Sequence, residues 1–140
     1  MASRVCLALI FLVSGLAKVF NYSATLEVMK SMGIWGSSLL LPLAAATEIL
    51  GALALIRGFQ LKWTGLVLAA YLIPVTLTFH RFWAFSGATR QAELIDFLKN
   101  TSIIGGLAAL SIYQRILETF TGGSLIELRE PKGEKTRSAA

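Results

Sequence analysis

Five polar side chains that lie among long apolar runs are the residues of this sequence best suited to chemistry. They are Lys18, Glu48, His80, Lys99 and Asn100. His80 is the only histidine in the chain, and an imidazole or a carboxylate such as Glu48 can take up and release a proton. Lysine and asparagine donate hydrogen bonds. Together these groups could donate hydrogen bonds to an amphipathic ligand and relay a proton to it.

Each of these residues also has a purely structural interpretation. Glu48 could form an ion pair with Lys18 or His80, and Lys18 could instead extend to the membrane interface. His80 could cap a helix or join two helices, and Asn100 could bridge helices. Lys99 lies about 100° around a helix from Asn100, so we do not expect the two to share one partner.

The composition indicates that the elements around these residues cross a membrane. Of the 140 residues, 55% are hydrophobic and only 15% are charged, and the mean hydropathy is +0.67. A soluble domain of this size cannot bury so much apolar surface. The net charge is +5, but the cations stand at the ends of apolar runs, which favours a membrane surface over nucleic acid. A single cysteine excludes a dithiol couple within the chain.

The pattern of apolar segments predicts an all-α bundle of four transmembrane helices. A spanning helix needs about 20 apolar residues, and four segments have that character: 4–20, 38–57, 61–82 and 94–115. After the first span, Leu26, Met29 and Met32 recur at helical spacing. This spacing predicts a short amphipathic helix at the membrane interface, ending at Gly33.

Proline, glycine and polar residues predict where the spans begin, pack and end. We expect Pro42 in the first turn of the second span, and the pair Gly105-Gly106 indicates close helix packing. Residues 84–93 are polar and are predicted to form a loop. The sequence turns polar from position 118, so we predict a membrane domain over 1–117 and a flexible tail over 118–140.

The distribution of cations predicts that both termini lie in the cytoplasm. With four spans, eight lysines and arginines fall on the side of the termini and five on the other. All of the five candidate residues except Glu48 then lie near the outer ends of their spans. If the second span begins near Pro42, Glu48 lies about 9–10 Å deeper. Because ionisable groups avoid lipid, we expect one polar pocket in the outer leaflet, with Glu48 as its floor.

The first 20 residues also have some features of a secretory signal, with one arginine before an apolar stretch. The lysine at position 18 and the membrane-like segments that follow favour retention of this stretch as the first span. The expected location is a bacterial inner membrane, with an organelle inner membrane as the alternative.

Over about residues 4–114, the sequence resembles the DoxX-like family of small four-helix membrane proteins. The motifs that carry the resemblance are FLVSGLAKVF with Gly15 and Lys18, ATEILGALALIRG with Glu48, YLIPVTLTFHRFW with His80, and DFLKNTSIIGGL with Lys99 and Asn100. The resemblance implies a four-helix membrane bundle. The family is named after a subunit associated with quinol oxidation and thiosulfate–quinone chemistry, which implies a link to quinones.

Two function classes follow from these observations. The first is an accessory or partner-dependent component of quinone-linked redox metabolism, since the sequence contains no flavin or dinucleotide motif. One histidine also excludes bis-histidine haem within a monomer. The second is a non-catalytic structural subunit of a larger respiratory or energy-converting complex. Both imply other membrane subunits or a homo-oligomer as partners; transport is a weaker third, because four spans show no inverted repeat.

Overall fold

A computed structural model describes residues 2–129, and of residues 118 and 121–129 only the backbone. All regular structure in this range is helical. The elements are α1 (Ala2–Phe20), α2 (Tyr22–Ser31), α3 (Ser37–Arg57), α4 (Leu61–Phe79), a 3₁₀ turn (Phe82–Ala84) and α5 (Gly87–Arg129). Four stretches are long and apolar enough to cross a membrane: Ala2–Phe20, Ser37–Arg57, Leu61–Ala84 and Gly87–Leu117. The predicted all-α fold with four spans and a short helix after the first is therefore confirmed.

The four long helices form a closed ring in the order α1, α3, α4 and α5, with α5 returning to α1. Consecutive helices run antiparallel, so both chain ends of the described region lie on the same face as the turn between α3 and α4. The apolar core fills mainly the half of the bundle nearest that turn. Its buried members are Ala8, Phe11, Ala52, Leu55, Leu61, Leu68, Ala69, Leu72 and Leu107.

The second span begins at Ser37, next to the predicted start at 38, but Pro42 is not in its first turn as predicted. Gly36 adopts a left-handed conformation with φ of 73°, and α3 begins directly after it at Ser37. Pro42 then lies in the second turn and leaves the carbonyl of Ser38 without its helical N–H donor. The hydroxyl of Tyr22 in α2 donates to that carbonyl over 3.4 Å. The short helix α2 thus compensates for the proline in α3.

The fourth span also differs from the prediction at both of its ends. α5 begins at Gly87, so most of the predicted loop 84–93 is helical. The prediction of a loop was wrong because the polar residues at the start of α5 have no apolar periodicity that would indicate a helix. At the other end the helix continues through Arg129, well past position 118. The division into 1–117 and a tail over 118–140 stays a prediction, and residues 130–140 lie outside the described region.

Glycine allows close helix contact at some of the predicted positions and not at others. A Cβ at Gly15 would lie 3.2 Å from the carbonyl oxygen of Ala45 and 2.7 Å from a side-chain carbon of Ile49. A Cβ at Gly105 would meet nothing within 4 Å, and one at Gly106 would meet only Leu7. The pair Gly105-Gly106 is therefore not a two-residue packing motif, whereas Gly15 sets how closely α1 approaches α3.

Gly15→Ala is expected to destabilise the bundle by about 1–3 kcal/mol, because the added methyl group meets a backbone carbonyl that cannot move aside. The midpoint of thermal unfolding in detergent measures this effect. The matched control is Gly105→Ala, which is expected to stabilise α5 by about 0.5–1 kcal/mol because alanine restricts the unfolded chain. Equal midpoints for the two variants would contradict this account of the contact between α1 and α3.

Candidate functional site

Glu48 is a buried acidic side chain near the middle of α3. It is only 3% exposed. Because α3 begins at Ser37, Glu48 lies about 16 Å from that end of the helix, at 1.5 Å rise per residue. This exceeds the depth of about 9–10 Å expected for a span that begins near Pro42. A carboxylate at this depth needs a cation or a proton, since lipid cannot solvate it.

The cation is Lys18, which reaches Glu48 from α1. Its Nζ donates to both carboxylate oxygens, at 2.9 Å to Oε1 and 2.8 Å to Oε2, and to the Ser14 hydroxyl at 2.7 Å. Helical side chains tilt toward the N-terminus of their own helix. Lys18 sits near the C-terminal end of α1, so this tilt directs its side chain into the bundle and away from the interface. Snorkelling, the structural alternative for Lys18, is therefore not what the structure shows.

Tyr71 in α4 completes the group. Its hydroxyl donates to Glu48 Oε1 over 2.7 Å, so three side-chain N–H or O–H groups satisfy one carboxylate. Tyr71 was missing from the candidates named from the sequence. It could have been found there, because a tyrosine in the middle of a span must bury its hydroxyl against a partner. We call Ser14, Lys18, Glu48 and Tyr71 the Glu48 cluster.

The Glu48 cluster is partly accessible from one side. The Lys18 side chain is 22% exposed and that of Glu48 only 4%. An incoming acceptor therefore reaches the ammonium first, and the carboxylate lies behind it. Chemically, the cluster offers strong hydrogen-bond donors and a group that can hold a proton in a low-dielectric region.

His80 directly follows the last residue of α4 and pairs with Glu93, outside the Glu48 cluster. Its Nδ1 is 3.1 Å from Oε2 of Glu93, and each side chain is 27% exposed. An ionised Glu93 can only accept, so the His80 ring then donates from Nδ1. His80 lies nine positions after Tyr71, which corresponds to about 13 Å along the helix. The sequence missed Glu93 because this residue fell in the predicted loop.

The remaining two candidates point in different directions from α5. Lys99 is exposed and its Nζ donates to Asp96 over 2.9 Å on the same helix. Asn100 is half-buried and lies seven residues before the buried Leu107, on the same face of α5. Its side chain makes no hydrogen bond to the residues that the structure describes. The structure thus brings Lys18 and Glu48 together, pairs His80 elsewhere, and turns Lys99 outward.

Replacing Lys18 is expected to destabilise the bundle more than replacing Glu48. Lys18→Met leaves a buried anion without its cation and is expected to destabilise the bundle by about 3–5 kcal/mol. Glu48→Gln leaves a lysine that can extend to water, so a smaller loss of about 1–3 kcal/mol is expected. The double variant should be more stable than Lys18→Met alone. Unfolding in detergent measures all three.

Lys99→Met is the matched control for this experiment, because it removes the same side chain from an exposed ion pair. Such pairs contribute about 0–1 kcal/mol, so its unfolding midpoint should stay close to that of the unaltered chain. Equal losses for Lys18→Met and Lys99→Met would show that the buried pair does not hold the helices together.

Comparison with known proteins identifies the family to which these helices belong. A family model described as DoxX matches residues 1–81, the part of the chain that contains the Glu48 cluster. Inner membrane protein YqjF of Escherichia coli (strain K12) is 30% identical over 112 residues, which cover 80% of this chain and 81% of that protein. Inner membrane protein YphA of the same strain is 26% identical over 110 residues, 79% of each chain. No solved structure matches. Since the family model covers more than half of its length, the chain belongs to the DoxX family of integral membrane proteins.

Proposed function

We propose that this protein is an accessory, partner-dependent component of quinone-linked redox metabolism in a bacterial inner membrane. The observation that carries the proposal is the Glu48 cluster, a set of strong donors and a protonatable group near the middle of a span. Intramembrane ionisable residues of this kind usually mark ligand or proton sites. The inner-membrane relatives support the location, and the link to quinones rests on the family resemblance.

The geometry suggests how a quinone carbonyl would enter the site. Ser14 is the one acceptor of Lys18 that is not the carboxylate, and a neutral hydroxyl is a weaker acceptor than a carboxylate oxygen. A carbonyl oxygen that reaches the accessible side of Lys18 can replace Ser14 without separating the ion pair. The ammonium would then stabilise negative charge that develops on that oxygen during reduction.

Reduction of a quinone to a quinol takes up two electrons and two protons, and this chain would supply neither electron. One histidine and one cysteine provide no internal electron carrier of the kinds considered above, so in this proposal the electrons come from a partner subunit or a bound cofactor. The pair His80–Glu93 lies at one end of the bundle, where it could exchange protons with the aqueous phase. In the N-in, C-in orientation favoured by the cation count, this end faces outward.

Quinone binding is expected to depend on the Glu48 cluster and not on exposed charges. The measurement is the amount of quinone extracted per mole of protein after gentle purification from membranes. Glu48→Gln and Tyr71→Phe should each lower it several-fold, because both change the hydrogen bonds that position Lys18 and Glu48, and one hydrogen bond of about 1–1.5 kcal/mol is worth about a tenfold change in affinity. Lys99→Met should leave it unchanged. Quinone content that is equal in all four proteins would rule out this site.

The second candidate function is that of a structural subunit in a larger respiratory or energy-converting complex. The observation that favours it is the length of α5. Gly65, near the N-terminal end of α4, packs beside Leu107 and Ser111. From there α5 continues to Arg129, about 20 Å beyond the N-terminal end of α4 at Leu61. Along it, Phe120 is 75% exposed and Ile116 is 47% exposed. Exposed apolar side chains on a projecting helix are typical of a docking surface.

A native gel of gently solubilised membranes, with mass spectrometry of the band that contains this chain, tests partner dependence. We expect a large band with redox subunits, and Phe120→Ser should shift the chain to a small band by removing an apolar contact. Trp35→Ser is the matched control, because Trp35 is 95% exposed at the opposite end. A large band without redox subunits favours the structural role. A small band for the unaltered chain contradicts both candidate functions.

A further inference from the structure

A groove runs along the outside of the bundle between α3 and α4, in the half that lies away from His80. Its volume is about 610 Å³. A second groove of about 500 Å³ adjoins it and shares Leu50, Ala54 and Phe59 with it. The residues that line the first groove are Thr47, Leu50, Gly51, Ala54, Phe59, Gln60, Trp63, Thr64, Val67 and Leu68.

The lining of the groove is apolar and faces the lipid. Leu50 is 66% exposed, Val67 is 57% exposed and Phe59 is 66% exposed. Together the two adjoining grooves follow α3 from Thr47 to Arg57, a span of ten residues or about 15 Å at the helical rise per residue. The hydrocarbon core of a bilayer is about 30 Å thick. The groove therefore has the length of one leaflet, which is the length of one acyl chain.

Three cations lie at the end of the groove that is formed by the turn from α3 to α4. Arg57 lines the second groove, and Lys62 Nζ lies 5.0 Å from the ring centroid of Trp63, which lines the first. The Arg4 guanidinium lies directly against Gly58 in the same turn. None of these three cations takes part in an ion pair among the described residues. Three positive charges that have no ion-pair partner among the described residues thus meet an apolar groove one leaflet long.

We propose that this groove binds one anionic phospholipid of the surrounding membrane. The acyl chain lies between Leu50 of α3 and Val67 of α4, and the phosphate meets Arg57 and Lys62. Trp63 lies at the level of the headgroup, where tryptophan is enriched in membrane proteins. Basic pockets between spanning helices are typical sites for anionic headgroups. The site lies apart from the Glu48 cluster and does not depend on any redox role.

Native mass spectrometry of the purified chain in detergent tests the proposal, with phosphatidylglycerol and phosphatidylcholine as probes. We expect phosphatidylglycerol to be retained at lower concentration than phosphatidylcholine. Arg57→Gln and Lys62→Gln should each weaken phosphatidylglycerol binding about five-fold, as expected for one cation at a membrane surface, without changing phosphatidylcholine binding. The charge control is Arg90→Gln, an exposed cation at the opposite end, which should change neither.

Filling the groove is an independent test that leaves the charges in place. Ala54 lines both grooves, so Ala54→Leu should lower retention of both lipids. Ala46→Leu is the matched control, because Ala46 is exposed on α3 and lines neither groove. Equal retention of the two lipids, or no effect of Ala54→Leu, would overturn the proposal. So would a dimer that forms in place of the lipid adduct, because a second copy would then occupy the groove.

Discussion

The ion pair between Lys18 and Glu48 is the interaction on which the arrangement of this bundle depends. A carboxylate that is 3% exposed near the middle of a spanning helix has no water to solvate it. It must receive its counter-charge from α1 and its remaining hydrogen bond from α4. These requirements fix the rotation of three helices about their axes and their relative heights. Gly15 belongs to the same constraint, since it lets α1 come close enough for Lys18 to reach across.

This constraint divides the bundle into two chemically different halves. Between Glu48 and the turn at Gly58 the helices are joined mainly by aliphatic side chains, and the polar contacts there are hydrogen bonds from serine or threonine to the helix backbone. Beyond Glu48 apolar residues such as Leu41 and Met29 are still buried, but polar and aromatic contacts also join the helices there, with His80–Glu93 next to Phe82 and Phe97, whose ring centroids lie 5.3 Å apart. Aliphatic packing tolerates small shifts, whereas the directional contacts of the other half do not. The half that contains the candidate ligand site is thus also the more precisely positioned one.

The sequence predicts the spans and the main buried charge well, because both follow from what lipid excludes. Long apolar runs must be helices, and Glu48 must face the interior and find a cation. The partner of His80 could not be predicted, since Glu93 lies on a helical stretch without an apolar pattern. Tyrosine is counted among the hydrophobic residues of the chain, and this count conceals the hydroxyl of Tyr71. Lys99 and Asn100 are adjacent in sequence, and only the rotation of α5, which packing determines, decides which of them faces the bundle.

The position of Glu48 also has a consequence for how the protein is made. A charged residue at the centre of a spanning helix costs about 2.5–3.5 kcal/mol when that helix enters the bilayer alone. α1 is synthesised before α3, so Lys18 is already present when Glu48 leaves the ribosome. If α1 stays beside the translocation channel until α3 emerges, the two helices can enter the lipid as a neutral pair. The turn and short helix between them, residues 21–36, would then act as a tether that holds α1 within reach during biogenesis.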